Sequence, residues 1–159
     1  MDDAIIAGAN IFHETFNVLS TKLNRGVEVQ DKKAMGLIVS TSTNGVFACE
    51  LYMKAMLSNP PHEHKLDKLF EDLDSDVQTF IEKIMVSQGK HKDNSYDEEK
   101  FREELQLYGN AFVEWRYFFE YGPKININFI KDLLAVLKAT VKAKREGVNL
   151  EGVDFSILS

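Results

Sequence analysis

The sequence is poor in residues that form covalent or metal cross-links, with one cysteine, Cys49, and four histidines among 159 residues. A single cysteine excludes a disulfide within the chain. Cys49 lies in an apolar segment, which predicts a small core residue. A chain of this length buries enough apolar surface to fold as one domain without such links. The cysteine usage also fits a reducing compartment, and we expect a cytoplasmic protein.

Proline and long apolar runs are scarce as well. The chain has only three prolines, and two of them, Pro60 and Pro61, are adjacent. Residues 1–12, MDDAIIAGANIF, carry acidic rather than basic residues ahead of the apolar run, which is not typical of a secretory signal. No apolar run approaches the roughly 20 residues that cross a bilayer. We therefore expect a protein that does not contact a membrane.

Enzyme motifs are also missing from the sequence. It has no glycine-rich phosphate loop, no HExxH helix, no CxxC pair and no glycine-flanked serine. His62 and His64 resemble a metal-binding pair but lack a compact third ligand, so a role at the start of a helix is favoured. An alternating aspartate run lacks the glycine and distal glutamate of a calcium loop. We expect neither metal nor cofactor. The run consists of Asp72, Asp74 and Asp76.

What the sequence has in abundance is helical periodicity. Apolar residues recur at steps of three and four, which predicts an all-α antiparallel bundle of about five main helices plus a short helix after Pro61. The first helix is predicted from Asp3 to Leu23, with Gly26 ending it. Further helices are predicted over residues 34–58, 64–73, 75–88, 95–121 and 125–145. We expect one domain over residues 1–147 and a tail over 148–159.

Two details of the predicted helices concern packing. His13 lies one position off the apolar stripe of the first helix, where a hydrogen bond to a neighbour is the favoured interpretation. Residues 35–45, MGLIVSTSTNG, are weak helix formers by composition. Their small side chains predict either the close approach of another helix or a kink.

The strongest helical pattern spans Phe101 to Tyr121, where one face is almost entirely aromatic. Glu114, Arg116 and Glu120 lie beside that face, so they either pair within the core or face a cleft. The face itself consists of Phe101, Leu105, Tyr108, Phe112, Trp115 and Phe119.

The net charge of −6 opposes broad binding to a phosphate backbone. The basic residues, however, gather near the C-terminal end of the chain. Lys138, Lys142 and Arg145 fall on one face of the last predicted helix, as a strip that binds phosphates requires. A solvated face with cations near the C-terminal end of the helix dipole explains the same residues without a ligand.

Three segments in order, ACELYMKAML, HKLDKLF and AFVEWRYFFE, resemble the HEPN superfamily of helical bundles over roughly residues 34–145. The first resembles the pattern A-x-E-x-x-x-K-A-L-L, and the second resembles G-H-x-L-x-x-L-F with Glu63 in place of the glycine. The resemblance implies a helical bundle that forms a homodimer. It also implies a polar cluster of Glu50, Arg116 and Glu120.

Many members of that superfamily are metal-independent ribonucleases with an arginine followed, after four to six residues, by a histidine. The histidine transfers protons beside a cation that holds the scissile phosphate. Arg116 fits by position, but Tyr121 occupies the window for the histidine, and the last histidine of the chain is His91. The expected function is therefore a noncatalytic binding or regulatory module.

Such a module would bind RNA, a nucleotide or a protein such as a nucleotidyltransferase, in a defence or toxin–antitoxin setting that only the resemblance implies. One alternative is a ribonuclease with a rearranged site that uses Arg116, Tyr121 and His64. The other is a protein-interaction domain with no nucleic-acid role.

Overall fold

The computed structural model describes residues 1–109 and 125–151, and all regular structure in these ranges is helical. The helices are α1 (Asp3–Glu28), α2 (Lys32–Met35), α3 (Leu37–Met56), α4 (Leu66–Glu71), α5 (Ser75–Lys90), α6 (Glu98–Gly109) and α7 (Ile127–Arg145). The predicted all-α bundle is confirmed, including the short helix after Pro61, which is α4. None of these helices is both long and apolar enough to cross a membrane.

Helix α3 is the centre of the bundle, because it packs against α1 along much of its length and also against α7 and α4. A small residue makes this possible where the three long helices meet. A Cβ atom added at Gly45 would lie 2.7 Å from Phe16 Cδ2 of α1 and would overlap Ile130 Cγ2 of α7. The close approach predicted for residues 35–45 is therefore confirmed.

The apolar stripes predicted from the sequence form the core. Those of α4 and α7 are buried at every predicted position, whereas Ile5, Phe12 and Leu19 of the first stripe are only partly buried. The buried positions of these two stripes are Leu66, Leu69 and Phe70 of α4, Leu73 just after it, and Ile130, Leu133, Leu134, Leu137 and Val141 of α7.

The described part of the aromatic helix is α6, and its Phe101, Leu105 and Tyr108 are buried. The Tyr108 ring stacks on Phe129 of α7 with the ring centroids 5.6 Å apart. Its hydroxyl accepts from the Asn126 amide at 2.7 Å, which fixes the start of α7. Phe112, Trp115 and Phe119 lie outside the described residues, as does the tail from residue 152 onward.

Helix ends differ from prediction where tertiary contacts override local signals. Gly26 does not end α1, which continues to Glu28. A Cβ at Gly26 would overlap Ala34, so this glycine lets α2 fold back closely. Likewise α5 runs through Gly89 to Lys90 because the Tyr96 ring lies against that glycine.

The predicted second helix also differs, because it is divided at Gly36 into α2 and α3. Asp31 caps α2 through its side chain, which accepts from the Lys33 amide at 2.9 Å. Local capping thus starts a separate short helix where periodicity alone predicted a continuous one.

Candidate binding cleft and buried carboxylate cluster

A cleft of about 810 Å³ lies between α1 and α7, with Tyr52 of α3 also in its lining; we call it the α1–α7 cleft. Lys138, Lys142 and Arg145 line it together, so the face predicted from their spacing does lie on one cavity. The apolar side of α7 is buried in the core, which directs these exposed cations toward the cleft.

The remaining wall of the α1–α7 cleft is largely apolar. Ile6 of α1 faces Ala135 and Ala139 of α7, and the two alanines leave space between the helices because their side chains are short. A ligand bound in the α1–α7 cleft would contact the cations of α7 and the aliphatic side chains next to them.

Two of the three cations have carboxylate partners. Arg145 Nη2 lies 3.0 Å from Asp3 Oδ1, and Lys142 Nζ lies 3.9 Å from Glu146 Oε1. All four side chains are at least half exposed, and exposed pairs of this kind contribute little to stability. Lys138 has no ion pair among the residues that the structure describes. An anionic ligand can therefore compete for all three cations at low cost.

A hydrogen-bonded chain of neutral groups forms the polar part of the floor. Tyr52 donates to Asn10 Oδ1 at 2.8 Å, and His13 Nδ1 lies 3.2 Å from the Tyr52 oxygen. Because the tyrosine proton is directed at Asn10, Nδ1 of His13 is the donor in the second bond. The expectation that His13 bonds to a neighbour is confirmed.

Burial keeps both ring systems uncharged at neutral pH. It lowers the pKa of His13, and the charge of Lys138 lowers it further, while Glu14 acts in the opposite direction. Burial also raises the pKa of Tyr52 to about 12. The positive charge of the cleft therefore resides on α7 alone.

A second polar group, the Glu50 cluster, consists of Glu50, Lys54 and His64. The Glu50 side chain is 1% exposed, and its Oε1 accepts from Lys54 Nζ at 2.8 Å and lies 3.0 Å from His64 Nδ1. Its other oxygen, Oε2, is buried and has no hydrogen-bond partner within the described ranges. Glu50 and Lys54 are four positions apart on α3, a spacing at which side chains of a helix pair, and the carboxylate is buried.

The geometry of His64 follows from the start of α4. The Glu63 carboxylate accepts from the backbone amides of His64 at 2.8 Å and Lys65 at 3.0 Å, and these bonds lower the pKa of Glu63. They hold the turn after Pro61, so the His64 ring reaches Glu50 while its side chain stays 66% exposed. The turn at the helix start is therefore held by Glu63 rather than by a histidine side chain, and the His64 ring instead contacts Glu50, which the sequence did not reveal.

Several predicted site residues are not brought together. Arg116, Glu120 and Tyr121 lie outside the described residues, so only Glu50 of the predicted polar cluster is seen, and Lys54 and His64 join it. No group of three or more metal-ligating side chains lies together within residues 1–109 and 125–151. Asp74 of the aspartate run is paired with Lys144 at 2.7 Å.

Sequence reasoning did not find the contributions of Asn10 and Tyr52 to the cleft. They lie on different helices, 42 positions apart, and nothing local links them. The one available signal was a histidine next to an apolar stripe.

Comparison with known proteins returns no match, whether by family model, by curated protein sequence or by solved structure. The resemblance to the HEPN superfamily therefore depends on the three motifs, and it stays a prediction.

Proposed function

We propose that this chain is a noncatalytic, HEPN-like binding module that holds RNA or a nucleotide in the α1–α7 cleft. The observation that carries the proposal is the alignment of Lys138, Lys142 and Arg145 along one wall of a cavity of about 810 Å³. Cations that share one cavity bind a phosphate group together, and charge-assisted hydrogen bonds of this kind are the strong ones.

The rest of the cleft supports the same ligand class. A nucleoside has an apolar body with hydrogen-bonding edges, and the cleft offers Ile6, Ala135 and Ala139 beside the neutral His13–Tyr52 pair. The net charge of −6 keeps nucleic acid away from most of the surface, so binding at this cleft is local.

The test is the affinity of the full chain for a short single-stranded RNA at low salt, measured by fluorescence anisotropy. Replacing Lys138, Lys142 and Arg145 together by alanine is expected to weaken binding at least about 10-fold, because several charge-assisted contacts are lost.

The matched control replaces three exposed lysines outside the cleft and removes the same total charge. It is expected to change the affinity less than about 3-fold. Equal losses in the two triple variants, or no binding by the unchanged chain, contradict the proposal. The control positions are Lys22, Lys33 and Lys131.

We also infer a homodimer in the cytoplasm, formed through the outer face of α1. Ile11 and Val18 lie seven residues apart on this helix and are 65% and 55% exposed. Helix α1 has an acidic first turn with Asp3 and a basic last turn with Arg25, so antiparallel pairing of two copies brings opposite charges together.

Light scattering is expected to give twice the chain mass, and Ile11→Glu to give a monomer. A monomer at all concentrations of the unchanged chain contradicts this.

A second candidate, the rearranged ribonuclease, is favoured by one observation at His64. Contact of Nδ1 with the buried Glu50 carboxylate orients the exposed ring and leaves Nε2 for proton transfer. Purified protein would then cut single-stranded RNA in EDTA, His64→Ala or Arg116→Ala would abolish cutting, and His62→Ala would not. Tyr121→Phe tests the remaining candidate. Intact RNA after long incubation at high protein concentration rejects this function.

The motif resemblance alone supports a defence or toxin–antitoxin setting with a nucleotidyltransferase partner. Purification from the host is expected to return one stoichiometric protein of that class. Recovery of a stoichiometric partner together with no RNA or nucleotide binding would favour a protein-interaction domain instead.

A further inference from the structure

We infer that the α1–α7 cleft recognises a terminal phosphomonoester, on the end of an RNA or on a free nucleotide, and discriminates against internal phosphodiesters. This inference rests on the proposed function and names the chemical group that the same cleft selects. Four observations support it: the length of the cation strip, the carboxylates at one of its ends, the number of cations and the shape of the cavity.

The strip of cations is short. From Lys138 to Arg145 the helix advances seven residues at about 1.5 Å each, so the strip is roughly 10 Å long. Modules that bind internal stretches of duplex RNA contact about 16 base pairs, which is several times this length. A strip this short spans no more than about three consecutive phosphates of a strand, so binding is confined to a few nucleotides.

Carboxylates lie at one end of the strip. Asp3 and Glu146 are paired with Arg145 and Lys142 there. A nucleic-acid backbone that continued past Arg145 would meet these like charges, which oppose binding. A backbone that ends in the cleft avoids this encounter.

The number of cations fits the charge of a terminal phosphate. A phosphomonoester carries about −1.5 to −2 at pH 7 and presents three strong acceptor oxygens, whereas an internal diester carries one charge. Lys138, Lys142 and Arg145 supply three cationic groups on one wall. The extra charge and acceptor oxygens therefore increase the affinity of these cations for the monoester and not for the diester.

The shape of the cavity fits a ligand whose terminal nucleoside enters the α1–α7 cleft. The cleft reaches inward to the buried His13 and Tyr52 side chains, with Ile6, Ala135 and Ala139 along its side. An inserted terminal nucleoside can use this depth, since its base contacts the aliphatic wall while its phosphate stays at the cations. An internal nucleotide is tethered on both sides, so one of its flanking phosphates must approach Asp3 and Glu146.

The test compares four forms of one short RNA with the full chain at fixed low salt: 5′-phosphorylated, 3′-phosphorylated, hydroxyl at both ends, and circular. At least one monophosphorylated form is expected to bind about 10-fold or more tightly than the hydroxyl and circular forms. Adenosine monophosphate is expected to compete with it, and adenosine is not.

A variant sharpens the comparison. Asp3→Asn combined with Glu146→Gln removes the carboxylates at the Arg145 end of the strip, and the circular form is expected to gain more affinity than the phosphorylated one. The ratio of the affinity for the phosphorylated RNA to the affinity for the circular RNA should therefore decrease by about 3-fold or more.

The outcomes separate this inference from the proposed function. If all four RNAs bind within about 2-fold of one another and the cleft triple variant weakens all of them, the proposed function holds and the inference is overturned. If neither these RNAs nor adenosine monophosphate binds, both are overturned. A circular RNA that binds as tightly as the phosphorylated forms also overturns the inference.

Discussion

His13 would couple proton binding in the α1–α7 cleft to the charge of the proposed ligand. The residue is 9% exposed, and both burial and the charge of Lys138 lower its pKa. These two influences disfavour the imidazolium ion. A phosphate bound at Lys138 would counter one of them, so ligand binding and proton uptake by His13 are thermodynamically coupled.

Titration of His13 by NMR is expected to give a pKa below 6.5 in the free chain and a higher one with bound adenosine monophosphate. Lys138→Ala should raise the pKa of the free chain because the repelling charge is gone. Lys131→Ala, on the same helix but outside the cleft, should leave it unchanged. A His13 pKa that is insensitive to both ligand and Lys138→Ala contradicts this coupling.

The lowered pKa of His13 also determines whether the stability of the folded chain rises or falls with pH. Since the pKa of His13 is lowered in the native state, the unfolded chain binds more protons as the pH falls below about 6.5, and stability then decreases. Urea unfolding between about pH 7.5 and 5.5 is expected to show this loss, and His13→Gln should reduce it. Equal pH dependence of the variant and the unchanged chain would show that His13 is not responsible.

Helix α3 depends on small side chains where it meets its neighbours. Gly45 allows Phe16 of α1 and Ile130 of α7 to pack against the α3 backbone. Among the residues that the structure describes, a Cβ at Gly8 of α1 would meet only Leu51. The two glycines have the same helical setting but different free space. Substitution by alanine therefore separates steric cost from helix propensity.

Gly45→Ala is expected to destabilise the chain by up to about 2 kcal/mol, because an overpacking cost of about 1–3 kcal/mol is offset by a gain of about 1 kcal/mol in helix propensity. Gly8→Ala places its Cβ at 3.5 Å from Leu51 Cδ1, an ordinary contact, and should stabilise by up to about 1 kcal/mol. Urea unfolding measures both values. Equal effects at the two positions would mean that α3 does not pack as closely as described.

The Glu50 cluster shows why helix faces alone do not define a site. The spacing of Glu50 and Lys54 on α3 predicts an ion pair, which the structure contains. His64 reaches the same carboxylate only because Glu63 holds the turn before α4. A contact across 14 positions depends on the path of a loop, for which the sequence carries no periodic signal.

The charge of the chain as a whole predicts how binding responds to salt. A net charge of −6 with one short cation strip implies few phosphate contacts. For three contacts with single-stranded RNA, the slope of log affinity against log salt is expected to be about −2. Anisotropy titrations over a salt series measure it. A slope steeper than about −4 would indicate many contacts spread over the surface and would contradict a local site.

Local periodicity determined the helices and their buried faces, because a helix places residues three and four apart on one side whatever its neighbours are. It also determined that Lys138, Lys142 and Arg145 share a face. Tertiary packing decided where helices end, as Gly26 and Gly89 illustrate, since a neighbouring Ala34 or Tyr96 stabilises a conformation that glycine alone does not favour.

Tertiary structure also determined which surface lies opposite the cationic face of α7. The α1–α7 cleft exists because α1 and α3 bring His13, Asn10 and Tyr52 beside α7, and these contacts join residues that are distant in the chain. The apolar pattern of the sequence indicates which face of each helix is buried. Only packing determines which two exposed faces meet across a cavity, because that depends on the side-chain volumes of all the helices together.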